Sequence, residues 1–276
     1  MRILDRKYRD CFYFCIVKTK VAKYLSIAIL AISSLLCNAQ ICHFWDGIEE
    51  FDGPTDVNPI MEIQIDYYFD SLVSPLPDSI CSEINRLMER NISTELRDFI
   101  LWHLLNRYQS PDYMTQDQVF VFLYDNYFSK LDIKDLSTEN LSMIADKAET
   151  LRQLQLFNVA PNITGKDTKG TYFDLSKLSS QFIVLLFYDH DCALCNETMN
   201  ELTNNELTTT SIVAIDTNPD QKNDSNTFIN IKSFDINEDI FALYDIEATP
   251  LIYVLDSDKH IIAKKIRAEQ IKLFTE

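Results

Sequence analysis

The sequence has few basic residues, and this shortage limits which partners the protein can bind. Its 276 residues include 25 Lys and Arg against 42 Asp and Glu, so the formal charge is −17. Proteins that bind nucleic acid neutralise phosphates with a dense basic surface, which this composition cannot supply. We therefore expect partners that are proteins or small thiols, and no nucleic acid.

Metal ligands are also scarce. The chain has four histidines, and the closely spaced pair Cys192 and Cys195 has no second Cys pair at metal spacing. His190 alone stands beside it, whereas a structural zinc ion takes four protein ligands. We predict no metal site.

No apolar run reaches the length of about 20 residues that a membrane-spanning helix needs. Residues 25–37 form a shorter run that follows several lysines and leads to Ala39. This order is typical of a secretory signal peptide, so we predict that residues 1–39 are cleaved and that the protein is exported to the periplasm or cell envelope. An uncleaved leader that anchors the chain in the membrane is one alternative. Lipidation at Cys37 is another, which Leu36 disfavours because a small residue belongs there.

Cleavage after Ala39 changes the charge and the cysteine count. The exported chain has 18 Lys and Arg against 40 Asp and Glu, a formal charge of −22, and it keeps Cys42, Cys81, Cys192 and Cys195. In an oxidising compartment Cys42 and Cys81 can form a disulfide, and free buried thiols are the alternative.

Residues 40–157 have the pattern of an all-α domain. Apolar residues recur at helical spacing, and polar residues suited to capping precede several segments. Isolated histidines and paired acids here have no neighbouring nucleophile, so we predict no catalytic site in this domain. Asp78 and Ser93 are predicted to cap two of the helices, Thr115 to open the next and Ser137 to start the last.

Near residue 158 the pattern changes to short strands separated by turns. Apolar runs rich in branched and aromatic residues predict strands buried on both faces. A polar stretch at 219–230 predicts a loop or a ragged helix. The predicted strands are 182–187, 211–216 and a hairpin of 251–255 with 260–266.

Cys192 and Cys195 follow the first of these buried strands directly. A helical pattern starts at the same point, which puts Cys192 at a helix N-terminus, where unpaired backbone N–H groups stabilise a thiolate. We predict that Cys192 is the attacking nucleophile and that Cys195, one turn later, resolves the mixed disulfide. A disulfide that only staples this corner is the alternative.

This arrangement resembles the thioredoxin fold, in particular its exported reductase-like branch. The shared features are a buried strand, the Cys192–Cys195 pair, and Thr249 and Pro250 before a strand and hairpin; the Ala-Pro-Asn at 160–162 is similar to the Ala-Pro-Asp that opens that branch. The resemblance implies an α/β domain at 158–276 with a central mixed sheet flanked by helices.

The resemblance also implies roles for individual residues. Pro250 is expected to be cis beside the cysteines, which leaves the Thr249 backbone free to pair with a bound peptide as an added strand. The redox centre is the cysteine pair itself, so no organic cofactor is expected. Protein thiols or disulfides of the envelope and an unidentified redox donor are the implied partners.

The helical half carries a second resemblance. The His-Phe-Trp-Asp at 43–46 and the Tyr-Gln-Ser-Pro at 108–111 are similar to a domain of unknown function. That domain precedes thioredoxin-like domains in secreted Bacteroidetes proteins and implies no activity.

Several residues around the cysteines depart from the thioredoxin pattern. Leu186 occupies the place of a buried acid that relays protons in many thioredoxins, so the relay is absent or supplied elsewhere. A charged His190 can stabilise the Cys192 thiolate and Asp191 opposes it, unless both merely solvate the loop. Ala193 and Leu194 are expected to tune the redox potential.

The sequence thus predicts an exported thiol-disulfide oxidoreductase that exchanges disulfides with envelope proteins. A binding or adaptor protein is the alternative, in which the helical domain recognises a partner and the thioredoxin fold is a scaffold with slow redox chemistry. In both cases the membrane is contacted only through an uncleaved leader.

Overall fold

A computed structural model describes residues 44–46, 48, 58–111, 113–204, 207–218, 228–236 and 239–275. The predicted signal peptide and Cys42 lie outside these residues. None of the helices within them is long and apolar enough to cross a membrane.

The N-terminal region is helical over its described residues. A π-helical turn, Tyr124–Phe128, continues the fourth helix directly. The helices are α1 (Asn58–Ser71), α2 (Pro77–Met88), α3 (Thr94–Gln109), α4 (Asp117–Leu123) and α5 (Thr138–Gln153).

Two predicted helix starts are confirmed by their caps. The Ser93 hydroxyl accepts a hydrogen bond from the Leu96 N–H, and the Ser137 hydroxyl accepts one from the Asn140 N–H. Each hydroxyl satisfies a backbone donor that has no partner inside its own helix.

The other two predicted starts are wrong. Asp78 does not cap helix α2, because proline lacks an N–H and fits the first helical position, so the helix begins at Pro77 and Asp78 lies inside its first turn. Helix α4 begins at Asp117 rather than at Thr115, because Thr115 belongs to the preceding turns, where its carbonyl accepts from the Gln118 N–H.

The C-terminal region is built on a seven-stranded mixed sheet of the described residues, in the order β2-β1-β5-β4-β3-β6-β7. Strands β3, β4 and β5 are parallel, and the other neighbours pair antiparallel. The strands are β1 (Thr164–Asp167), β2 (Tyr172–Asp174), β3 (Phe182–Tyr188), β4 (Thr210–Asp216), β5 (Ile229–Ile236), β6 (Leu251–Asp256) and β7 (Ile261–Lys264).

Helices cover both faces of this sheet. The helix α6 (Ala193–Asn204) follows β3 and packs on one face, whereas the short helix α7 (Ile240–Leu243) packs on the other. A short helix, α8 (Lys272–Thr275), ends the described chain. The predicted thioredoxin-like fold, with a central mixed sheet flanked by helices and preceded by a helical region, is confirmed.

The hydrophobic core of the helical region ends, and that of the sheet begins, between α5 and β1. Buried residues from Trp45 to Leu151 form one core, while Leu154 already packs with the sheet residues. The change lies a few residues before the boundary predicted between residues 157 and 158, which stays a prediction.

Strand β5 is the largest departure from the predicted elements. The sequence predicts a polar loop or ragged helix at residues 229 and 230, yet these residues open an eight-residue strand. The sequence pattern does not indicate this strand, because Asn230 and Lys232 are polar residues that are buried in the sheet instead of facing solvent.

Candidate active site

The two cysteines lie at the corner between β3 and α6. Every residue of β3 from Ile183 to Tyr188 is buried, so the strand that leads into the corner is packed on both faces. The Cys192 carbonyl accepts the Asn196 N–H, the first hydrogen bond of the helix, which makes Cys192 the residue that caps α6. The predicted position of Cys192 at the helix N-terminus is therefore confirmed.

The Cys192 sulfur is half-buried and accepts a hydrogen bond from the Cys195 N–H at 3.3 Å. Hydrogen bonds from the Cys195 side chain and backbone, and from the Leu194 backbone, lower the pKa of the Cys192 thiol below its ordinary value. Donors that point at the sulfur stabilise its charged form, whereas nearby Asp189 opposes this effect. This geometry provides an accessible thiolate.

Cys195 has the opposite character. Its side chain is fully buried. Burial raises the pKa of the Cys195 thiol above its ordinary value, and hydrogen bonds with the Asp189 backbone and the Thr249 side chain only partly offset this. Cys195 is therefore a protonated thiol next to the Cys192 sulfur, as a resolving cysteine needs to be.

The opposite pKa shifts predict selective alkylation of the reduced protein. With iodoacetamide, Cys192 is expected to react first, with a rate that rises with pH through a midpoint below about pH 8.5, the pKa of an unperturbed thiol. A lowered pKa keeps the thiolate present at lower pH, so the midpoint of the pH dependence of the alkylation rate lies at lower pH. Mass spectrometry after timed quenching measures both sites, and faster modification of Cys195 than of Cys192 contradicts the prediction.

Thr249 and Pro250 lie beside this pair. The Thr249–Pro250 peptide bond is cis, as the resemblance implied. The Thr249 side chain contacts Cys195 through the hydrogen bond described above, and Thr249 and Pro250 are each partly exposed. The loop before β6 thus places two partly exposed residues next to the cysteines.

His190 is not a solvated loop residue, which corrects that reading of the sequence. Its side chain is 5% exposed, and its Nδ1 lies 2.7 Å from Asp216 Oδ2 at the end of β4. Lys232 of β5 donates to the same carboxylate oxygen. Asp216 and Lys232 are also buried, so a His-Asp-Lys group lies in the interior two residues before Cys192.

The sheet register explains how this buried group forms. Asp216 lies opposite Tyr188 of β3 and opposite Lys232 of β5 in the parallel ladder. The three strands therefore bring these residues together at the carboxyl ends of β3 and β4, where the chain leads from β3 into α6. Sequence reasoning missed Asp216 and Lys232, although an acid that closes an apolar strand was a usable signal.

The remaining predicted residues surround this corner without entering it. Asp191 is largely exposed, and its Oδ2 lies 3.8 Å from His190 Nε2. Ala193 and Leu194 are exposed in the first turn of α6, and their effect on the redox potential stays a prediction. Leu186 is fully buried on the face of the sheet that carries Cys195, so its position is apolar in the structure too.

No group of three or more His, Cys, Asp or Glu side chains within the described ranges could hold a metal ion.

Residues 157–264 match the AhpC/TSA family. The whole architecture is similar to that of a thioredoxin-like protein from Bacteroides caccae, whose structure superposes with a TM-score of 0.66 at 17% identity. That alignment covers 87% of this chain and 91% of the other, so it includes the helical region as well as the sheet.

Two further structures align with less than half of the chain. A domain of a "possible thiol-disulfide isomerase" from Cytophaga hutchinsonii is 30% identical over 44% of this chain and 90% of its own, with a TM-score of 0.39. The thioredoxin domain of a thiol-disulfide oxidoreductase from Bacteroides vulgatus is 21% identical over 45% of this chain and 99% of its own, with a TM-score of 0.38. No curated protein matches the sequence.

Proposed function

We propose that this protein is a thiol-disulfide oxidoreductase acting through Cys192 and Cys195, because residues 157–264 match the AhpC/TSA family and have a thioredoxin-like fold. The observation that supports this most directly is the hydrogen bond from the Cys195 N–H to the Cys192 sulfur. It caps the helix with a sulfur whose pKa is lowered, and it places the protonated second thiol alongside.

The proposed reaction is a two-step exchange. The Cys192 thiolate attacks one sulfur of a substrate disulfide, forms a mixed disulfide, and displaces the other substrate sulfur as a thiolate. Cys195 then loses its proton and attacks the Cys192 sulfur, which releases the second substrate thiolate. The substrate gains two electrons, and the protein is left with a Cys192–Cys195 disulfide. The same steps in reverse oxidise a dithiol.

The proposed substrates are cysteine-containing proteins of the cell envelope. Thr249 is partly exposed beside Cys195, where its backbone can pair with an extended segment as an added strand. Export through the leader at residues 1–39 would place the protein with such substrates. A dithiol donor would then reduce the Cys192–Cys195 disulfide again between turnovers.

A Cys195→Ser variant tests the substrates and the compartment together. Without a resolving thiol the mixed disulfide at Cys192 persists, so the variant is expected to accumulate covalent adducts in the envelope fraction of cells. Non-reducing gels followed by mass spectrometry identify the trapped proteins. A Cys192→Ser/Cys195→Ser double variant is the matched control and should trap none.

The adaptor alternative predicts the opposite result. If Cys195→Ser traps no envelope protein, and the wild-type protein neither reduces insulin nor oxidises a dithiol peptide, the oxidoreductase proposal is wrong. Stable, reduction-resistant complexes made by the helical region would then favour the adaptor.

A further inference from the structure

A cleft of about 650 Å³ opens next to the cysteines, between the two regions of the chain. Thr249 and Pro250 line this cleft. Leu194 of α6 also lines it, and 58% of the Leu194 surface is exposed. Ser110 and Pro111, which follow α3, form part of the lining from the helical side. The volume falls within the range of about 300–1,000 Å³ seen for ligand sites.

The helical region is held at this cleft by contacts to the loop that carries Pro250. Lys147 of α5 donates to Asp245 Oδ1 at 2.8 Å and also to Glu247. The Ser110 hydroxyl donates to Glu247, and Gln109 Nε2 donates to the same carboxylate at 3.3 Å. Because Glu247 lies two residues before Thr249, these contacts fix Ser110 and Pro111 relative to the cis-proline loop.

The lining of the cleft carries an excess of negative charge. It includes five carboxylates, which are Glu197, Glu201, Asp245, Glu247 and Glu269, but only two basic side chains, Lys265 and Arg267. Lys147 and Lys265 pair with Asp245, Lys147 also pairs with Glu247, and Arg267 lies 3.8 Å from Glu269.

Glu197 and Glu201 take part in none of these ion pairs. Both are exposed one turn apart on α6, the helix that Cys192 caps, and neither has a hydrogen-bond or ion-pair partner among the residues that the structure describes. Their charge is therefore available to a bound segment, and a cationic one complements it.

Resting on the proposed function, we propose that this cleft binds the substrate. We infer that its occupant is an extended polypeptide segment with Lys or Arg beside the reacting cysteine, and that the helical region supplies one wall of the site. A small anionic thiol such as glutathione fills only part of the cleft and lacks the complementary charge. The helical region thus acts in substrate selection rather than in the chemistry.

The charge is tested with two matched cysteine peptides that carry either Lys or Glu beside the cysteine. Each is supplied as a mixed disulfide with thionitrobenzoate, and release of the chromophore by the reduced protein gives the rate. The wild-type protein is expected to react faster with the Lys peptide. Glu197→Gln/Glu201→Gln should lower the Lys-to-Glu rate ratio by about 2- to 30-fold, the range for two exposed ion pairs.

The matched control removes two charges outside the cleft. Glu95 and Glu139 are exposed on α3 and α5 and do not line the cleft, so Glu95→Gln/Glu139→Gln should leave the Lys-to-Glu ratio unchanged. Added salt should lower the wild-type ratio, because exposed charges are screened.

The contribution of the helical region to the cleft is tested with Pro111→Trp, which narrows the cleft from the helical side. This substitution is expected to lower the rate with the Lys peptide relative to the rate with the glutathione–thionitrobenzoate disulfide. The circular dichroism spectrum and thermal unfolding of this variant must match those of the wild-type protein, because an unfolded chain exposes thiols that react with both probes and lowers the ratio by itself.

The outcomes separate this inference from the proposed function. Equal rates with both peptides, or ratios unmoved by the α6 and Pro111 substitutions, overturn the inference while the exchange activity stands. Absence of chromophore release from every probe overturns the proposed function and this inference with it.

Discussion

Replacing Cys192 by serine is expected to abolish disulfide exchange, with rates falling to those measured without protein. A serine hydroxyl is not ionised near neutral pH and cannot form a disulfide, so both the nucleophile and the first covalent bond are lost. Cys195 cannot substitute for it, because its sulfur is fully buried and burial raises its pKa. Insulin reduction and the peptide assay measure the loss.

Cys81→Ser provides the matched control for this prediction. Cys81 is half-buried in the helical region, and burial raises the pKa of its thiol to about 12, so it contributes no thiolate at neutral pH. This variant should retain the wild-type rate. Full activity of Cys192→Ser, or loss of activity in Cys81→Ser, would place the reactive thiol elsewhere.

Replacing Lys264 by methionine is expected to destabilise the protein by about 3–5 kcal/mol, the usual cost of removing one partner of a buried ion pair. Lys264 of β7 is fully buried and donates to Asp117 of α4 and, at 2.6 Å, to the Leu154 carbonyl. Burial lowers the pKa of Lys264 and raises that of Asp117, so each depends on the other to stay charged. The midpoint of urea denaturation measures the change.

Two further variants identify the cause of that loss. Lys166→Met removes an exposed lysine from β1 and should change stability by less than about 0.5 kcal/mol. Asp117→Leu combined with Lys264→Met removes both charges and should recover much of the stability, because no buried charge is left without its partner. A double variant as unstable as the sum of its single changes would mean that the two residues do not interact.

This pair also explains why the helical region stays close to the redox corner. Lys264 ends a strand of the sheet, whereas Asp117 begins a helix of the N-terminal region. The Lys147 contacts with Asp245 and Glu247 act at the same junction. If the helical region selects the substrate as proposed, variants that weaken either junction are expected to change substrate selection as well as stability.

Features that depend on neighbouring residues in the chain were predictable from the sequence. The caps at Ser93 and Ser137, the buried strand β3 and the position of Cys192 at the start of α6 each arise within a few residues. The hydrogen-bonding needs of a helix end and the hydrophobicity of a central strand are local properties, so their signals stand in the sequence itself.

What the tertiary structure decided are the contacts between distant segments. The strand β5 was not recognisable, because Lys232 looks like a surface residue until Asp216 is placed opposite it in the ladder. The burial of His190 follows from the same pairing. Such groups are stable only where another strand supplies the partner, and no local pattern encodes which strand that is.

The same division holds for the proposed active site. The sequence by itself determined the reactive corner, since two residues between Cys192 and Cys195 place both on one helical turn. Only the tertiary structure decided what surrounds that corner, because Ser110 and Pro111 reach it through the Ser110 and Lys147 contacts with Glu247. Those contacts span 100 residues or more, and packing between the helical region and the sheet determines them.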